Sequence, residues 1–250
     1  MIHFKNYDMG KIKDGELFDK RIKLSEIATV MTFSKYQLHL IKHPELETNY
    51  KLFIPNKISL DTITCIVAKE GEASFVVLAD EMKLRYISFF LNSTWGKLFL
   101  ISENKFKKQI GTTNSVLIKN TEFVLHKEME SSCILIEALS QYLHIYIANN
   151  PEYGDRYSAT ISRFLSQVRD AMVMELFIPD VFKSYHISVL APWKKEIEKI
   201  VDESKQEEVI TKIFDSLVSS GNELMENMNK MRLFMKELTN NLMIHRKDRQ

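Results

Sequence analysis

Short β-branched and apolar runs dominate the first half of the chain, and stretches of helical period dominate the second. The pattern predicts a strand near Ile27–Met31 and a helix near Tyr36–Lys42, ended before Pro44, which disfavours helical backbone in the residue preceding it. Tyr50–Ile54 reads as a strand closed by Pro55 and Asn56. Thr62–Ala68 and Ala73–Leu78 are both β-branched and apolar, and Lys69-Glu70-Gly71-Glu72 between them predicts a hairpin. Asp80 is a good N-cap type for a helix over Glu81–Asn92, where Leu84, Ile87, Ser88 and Leu91 share one face. Ser115–Val124 returns to strand character.

Beyond Glu128 the period is helical throughout. Helices are expected over Ile134–Ala148, closed by Asn149-Asn150-Pro151, and over Ser158–Leu176, ended by Pro179, with a third opening at Trp193–Ile200. From Ile210 through Leu217, Leu224, Met228, Met231 and Met235 to Leu242 the apolar steps alternate four and three, the signature of a heptad seam. Ser219-Ser220-Gly221-Asn222 is the place where that seam could fold into a hairpin, since glycine costs about 1 kcal/mol inside a helix. The expected fold class is therefore α+β, with a β-rich domain over 1–127 and a helical, coiled-coil-like region over 128–250.

The charge balance changes this picture little. Residues 1–127 hold 19 Lys and Arg against 14 Asp and Glu, an excess of five, whereas 128–250 is net acidic. A basic front is compatible with a polyanion partner. With 45% hydrophobic and 27% charged residues, the composition is that of a folded chain. Cys65 and Cys133 sit in apolar surroundings and read as buried thiols in a reducing cytosol. The first residues lack the apolar stretch of a signal peptide, and no run reaches the ~18–20 apolar residues that span a bilayer. The expected compartment is the cytoplasm, with no membrane contact.

Fragments that tempt an enzymatic reading are each incomplete. His39 and His43 have the i, i+4 spacing of a zinc helix but lack the intervening glutamate and a third ligand. Asn150-Pro151-Glu152-Tyr153 is one residue from the Asn-Pro-Pro-Tyr box of amino-methyltransferases, without the glycine-rich cofactor turn. Glu81-Met82-Lys83, with Asp61 upstream, has the look of a nuclease metal motif, but such triplets arise by chance in a charged chain. With no glycine-rich phosphate loop either, neither a cofactor nor a metal is expected.

One stretch is more informative. Lys105-Phe106-Lys107-Lys108-Gln109-Ile110-Gly111-Thr112-Thr113-Asn114 combines three lysines with amide and hydroxyl side chains that bond phosphates or base edges. Gly111 is expected to permit a tight turn, placing these groups on a loop between a helix and a strand. Lys105, Lys107, Lys108, Gln109, Thr112, Thr113 and Asn114 are the candidate DNA-binding residues.

The run Tyr86-Ile87-Ser88-Phe89-Phe90-Leu91-Asn92-Ser93-Thr94-Trp95-Gly96-Lys97, followed by that basic stretch and then Gly111-Thr112-Thr113-Asn114-Ser115-Val116-Leu117-Ile118, resembles a known block. It is similar to the end of the target-recognition domain in type I restriction specificity subunits and related adenine DNA methyltransferases. The resemblance covers residues 22–127 and departs at Glu122–Lys127, where the family has a proline-rich exit. It implies a non-catalytic module that reads double-stranded DNA and docks a methyltransferase or nuclease subunit, or a second copy of itself, through the 210–242 seam. The alternative is a protein–protein adaptor with a coiled-coil surface and no DNA binding, for which the adaptable methionines of the seam are suited.

Overall fold

A computed structural model describes residues 20–32, 50–59, 63–69, 71, 73–101, 110–125, 136–137, 140–141, 156–198, 219 and 221–234. The chain is a mixed α+β protein in which antiparallel strands come first and helices follow. It divides into two compact units, one of residues 19–173 and one of residues 1–18 with 174–250. The helix expected at 36–42 and the boundary expected at 127/128 lie outside the described residues.

In the first unit the strands are β1 (Lys20–Lys23), β2 (Thr29–Thr32), β3 (Lys51–Ile54), β4 (Lys57–Ser59), β5 (Ile66–Ala68) and β6 (Phe75–Leu78). A short helix, α1 (Leu24–Ile27), separates β1 from β2. The main sheet has the order β2-β6-β3-β5. This corrects the hairpin expected from Thr62–Ala68 and Ala73–Leu78. The two strands exist, but β3 lies between them, pairing Leu52 with Val67 on one side and with Val77 on the other. The reason is burial: Leu52, Phe53 and Ile54 are all buried, and a strand with no solvated face belongs in the sheet centre, hydrogen-bonded on both edges. Local turn chemistry loses to that constraint.

Helix α2 (Glu81–Asn92) forms as the pattern predicts, and Asp80 caps it by accepting from Lys83 N at 2.9 Å. Leu84, Ile87 and Leu91 are fully buried in the unit's core. The chain then turns at Ser93 into α3 (Thr94–Leu100) and continues through β7 (Ile110–Thr112), α4 (Ser115–Lys119) and β8 (Glu122–Leu125). Here the strand expected over Ser115–Val124 is corrected in its first half. The Asn114 side chain accepts from Val116 N at 3.0 Å and Leu117 N at 2.9 Å, and that cap turns a β-branched run into one helical turn. β8 pairs with β1, setting Phe123 against Ile22, and the Phe123 ring lies 4.8 Å from that of Phe90.

Helix α5 (Arg156–Phe177) contains the expected 158–176 helix. In the second unit, α6 (Pro179–Ser184) starts with proline at N1, where its missing N–H costs nothing. α7 (Leu190–Glu198) and α8 (223–234) follow. Gly221 has φ +81°, a left-handed conformation that suits glycine, and Asn222 caps α8 by accepting from Met225 N at 3.2 Å. The 223–234 helix thus starts just after Ser219–Asn222, the stretch where the sequence allowed a break. Leu224, Met228, Met231 and Phe234 are buried, and the Phe234 ring packs 4.8 Å from Tyr185. The seam positions at 210–217 and 235–242 lie outside the described residues.

Candidate nucleic-acid interface

The fold brings together Ile101 and Gly111, described residues on either side of residues 102–109. α3 ends at Leu100 and Ile101 is buried; the chain is next described at Ile110, opening β7. A Cβ on Gly111 would stand 2.2 Å from Ile101 Cγ2, so Ile101 packs directly on the glycine backbone. Gly111 therefore serves a close approach within a strand, correcting the tight turn expected of it. Lys105, Lys107, Lys108 and Gln109 themselves lie outside the described residues.

Around that junction, β7 pairs with β4 and sets exposed Lys57 opposite Thr112 and buried Ile58 opposite Gly111. Thr112 is half-buried. Thr113 is buried; its N–H donates to Asn56 O at 2.9 Å, and its hydroxyl has no hydrogen-bond partner. Asn114 is exposed, with its carbonyl oxygen committed to the α4 cap and its amide nitrogen outside it. Large apolar side chains flank the junction in sequence and are exposed: Phe99, Ile110 and Val116.

A second constellation is buried and was only half-legible. Asn92, at the end of α2, accepts from Thr64 N at 2.9 Å and Cys65 N at 3.0 Å, and donates to Cys65 O at 2.7 Å. It thereby holds the lead-in to β5 against α2. Ser88, one turn earlier, donates its proton to Glu137 Oε1 at 2.6 Å. Gln141 donates to the same carboxylate oxygen and to Ser88 Oγ, while its own oxygen accepts from Val67 N at 3.2 Å. Arg169 of α5 closes the cluster, its Nη2 lying 3.4 Å from Glu137 Oε2, with both side chains almost wholly buried. The sequence signal was Ser88 and Asn92 on an otherwise apolar helix face. Glu137, Gln141 and Arg169 join from distant helices and carry no local signature.

This network is scaffold in character. Cys65 is buried, and desolvation pushes its thiol up to about 12, which leaves no thiolate for chemistry. Glu137 Oε2, Arg169 Nε and Arg169 Nη2 lack hydrogen-bond partners, so the pair is held by charge and packing. Next to Arg169 on α5, Asp170 accepts from Thr94 N and Thr94 Oγ1, each at 2.7 Å. Burial still lifts its carboxyl above the usual range despite those hydrogen bonds. In the second unit Glu175 plays a similar part, accepting from Val189 N at 2.8 Å and Leu190 N at 2.9 Å at the start of α7. Its carboxyl too is raised by desolvation.

The motif-like Glu81-Met82-Lys83 lies on the first turn of α2, where Glu81 accepts from Arg85 Nη2 at 2.8 Å. Asp61, His39, His43 and the 150–153 box lie outside the described residues. Among the described residues no three His, Cys, Asp or Glu side chains group to hold a metal, and no helix is long and apolar enough to cross a membrane. No family model and no curated protein matches the chain.

Proposed function

We propose that this chain is a non-catalytic DNA sequence-recognition module of a restriction–modification type system, working in the cytoplasm. The observation that supports it is the packing of Ile101 on Gly111, which anchors both ends of a stretch carrying three lysines and a glutamine. Lys57, opposite Thr112, is an exposed cation beside the described end of that stretch. Phosphate contacts from such lysines position a protein on a duplex, and amide and hydroxyl groups beside them read base edges. Exposed Ile110 and Val116 are suited to apolar contact with thymine methyl groups.

In this reading the helical region docks a methyltransferase or nuclease subunit, or a second copy of the chain. Leu224, Met228, Met231 and Phe234 are already buried within it, so docking there would use other positions, such as exposed Leu233. Selection of the full chain against a random duplex library tests the reading. A recognition module enriches one short site, and the Thr112→Ala/Thr113→Ala/Asn114→Ala variant loses or alters that site. No enrichment by the parent overturns sequence recognition; an unchanged site in the triple variant removes these residues as readers.

A further inference from the structure

A second cationic cluster lies in the first unit, away in sequence from the 105–114 stretch. Tyr50, just before β3, has the Lys69 ammonium 5.4 Å from its ring centroid and the Arg85 guanidinium also at 5.4 Å, so the two cations lie at most twice that distance apart. The neighbouring Lys51 ammonium donates to Lys69 O at 2.7 Å, which fixes it beside the same strand end. Lys83, Arg85 and Lys195 pair with the carboxylates of Asp80, Glu81 and Glu223, so the Arg85 charge of this cluster is already offset. Lys51 and Lys69 meet no carboxylate among the described residues; Glu70 and Glu72, adjacent in sequence, lie outside them.

One ammonium held over an aromatic ring and another on the backbone carbonyl of the same residue, with no carboxylate partner among the described residues, favour an anion beside them. Ring and backbone contacts hold the cations in place, so little ordering remains when a ligand arrives. We propose that Lys51 and Lys69, held beside Tyr50, form a second phosphate-binding surface that grips the backbone of duplex DNA. The inference rests on the DNA-recognition reading and adds to it a contact remote in sequence from the basic stretch. Its contribution is to affinity and orientation, because phosphate contacts carry no sequence information.

The test uses the full chain and a random duplex, with binding measured by fluorescence anisotropy across a salt series. Each phosphate neutralised adds about 0.9 to the slope of log affinity against log salt. Lys51→Gln/Lys69→Gln should lower that slope by about 2, while Lys230→Gln, an exposed lysine of the second unit, leaves it unchanged. Thermal melting reports whether each variant remains folded, and Lys51→Arg/Lys69→Arg, which keeps both charges, should restore the slope. A parent that binds with a slope indifferent to Lys51 and Lys69 overturns this surface and leaves the recognition reading standing. A slope lost equally in the Arg and Gln variants assigns the loss to altered packing and also overturns it. A parent with no salt-dependent affinity for duplex overturns both.

Discussion

Removing the Asn92 side chain should destabilise the first unit far more than its single amide suggests. Asn92→Ala strips acceptors from two backbone N–H groups, Thr64 N and Cys65 N, and the nearer donor from Cys65 O. A buried donor left without a partner costs about 1–3 kcal/mol. Cys65 is fully buried and Thr64 partly so, giving an expected loss of about 2–4 kcal/mol, or roughly 6–12 °C in Tm for a unit of this size. Asn92→Asp keeps the acceptors but sets a carboxylate beside Glu137 Oε1, which lies 3.3 Å from Asn92 Nδ2. Burial and like charge would raise the folded-state pKa of that new carboxyl. Its protonated form therefore favours folding, and the variant loses stability as pH rises through the raised pKa. The assay is urea unfolding of full-length chain. Trp95 and Trp193 are its two tryptophans, one in each unit, so a Trp193→Phe background leaves Trp95 to report on the first unit alone. A loss under about 1 kcal/mol for Asn92→Ala, with Asn92→Asp insensitive to pH, would refute the claim that this side chain pins the lead-in to β5.

Three further outcomes follow from the same geometry. Asp170 has a raised folded-state pKa, so its contribution is fully present below the unfolded value near 3.8 and is lost as pH rises through the folded one; Asp170→Asn should gain stability relative to the parent as pH rises above that unfolded value in urea titrations, and a constant difference would refute it. Asn114→Ala should cost about 1 kcal/mol through the lost α4 cap, with Asn114→Asp restoring it; equal melts for all three proteins would contradict the cap. Met231→Lys buries a charge and should unfold the second unit, seen by Trp193 in a Trp95→Phe background, whereas Leu233→Lys at an exposed position is tolerated; the reverse ranking would make the 231 position a docking surface.

The legible parts of this fold are those where local chemistry and burial agree. Asp80 and the Leu84, Ile87, Leu91 face announce α2, and Pro179 and Gly221 mark helix ends that the structure respects. Strand pairing was not legible, because the central place of β3 depends on how much of Leu52–Ile54 is buried, and no turn motif encodes that. Ser115–Lys119 misled because Val116 and Ile118 give it strand character that a one-residue cap does not offset in a periodicity reading, yet the Asn114 side-chain oxygen accepts from two N–H groups. Of the candidate site, Thr112 ends a strand and Thr113 and Asn114 lead into a helix, the reverse of the expected loop from helix to strand; Thr113 is buried and Asn114 caps that helix. Glu137, Gln141 and Arg169 lay beyond reach, since each looks like an ordinary surface charge or amide until tertiary packing buries it.

The central claim is that the anchored basic stretch contacts DNA phosphates, and the salt dependence of duplex binding tests it most directly. The affinity of the full chain for a random duplex should fall steeply and linearly on a log–log plot against salt, as counterion release requires. Lys105→Ala/Lys107→Ala/Lys108→Ala should flatten that slope by up to about 3, near 0.9 for each phosphate no longer neutralised. A parent whose binding ignores salt, or a triple variant with the parent's slope, would contradict the account.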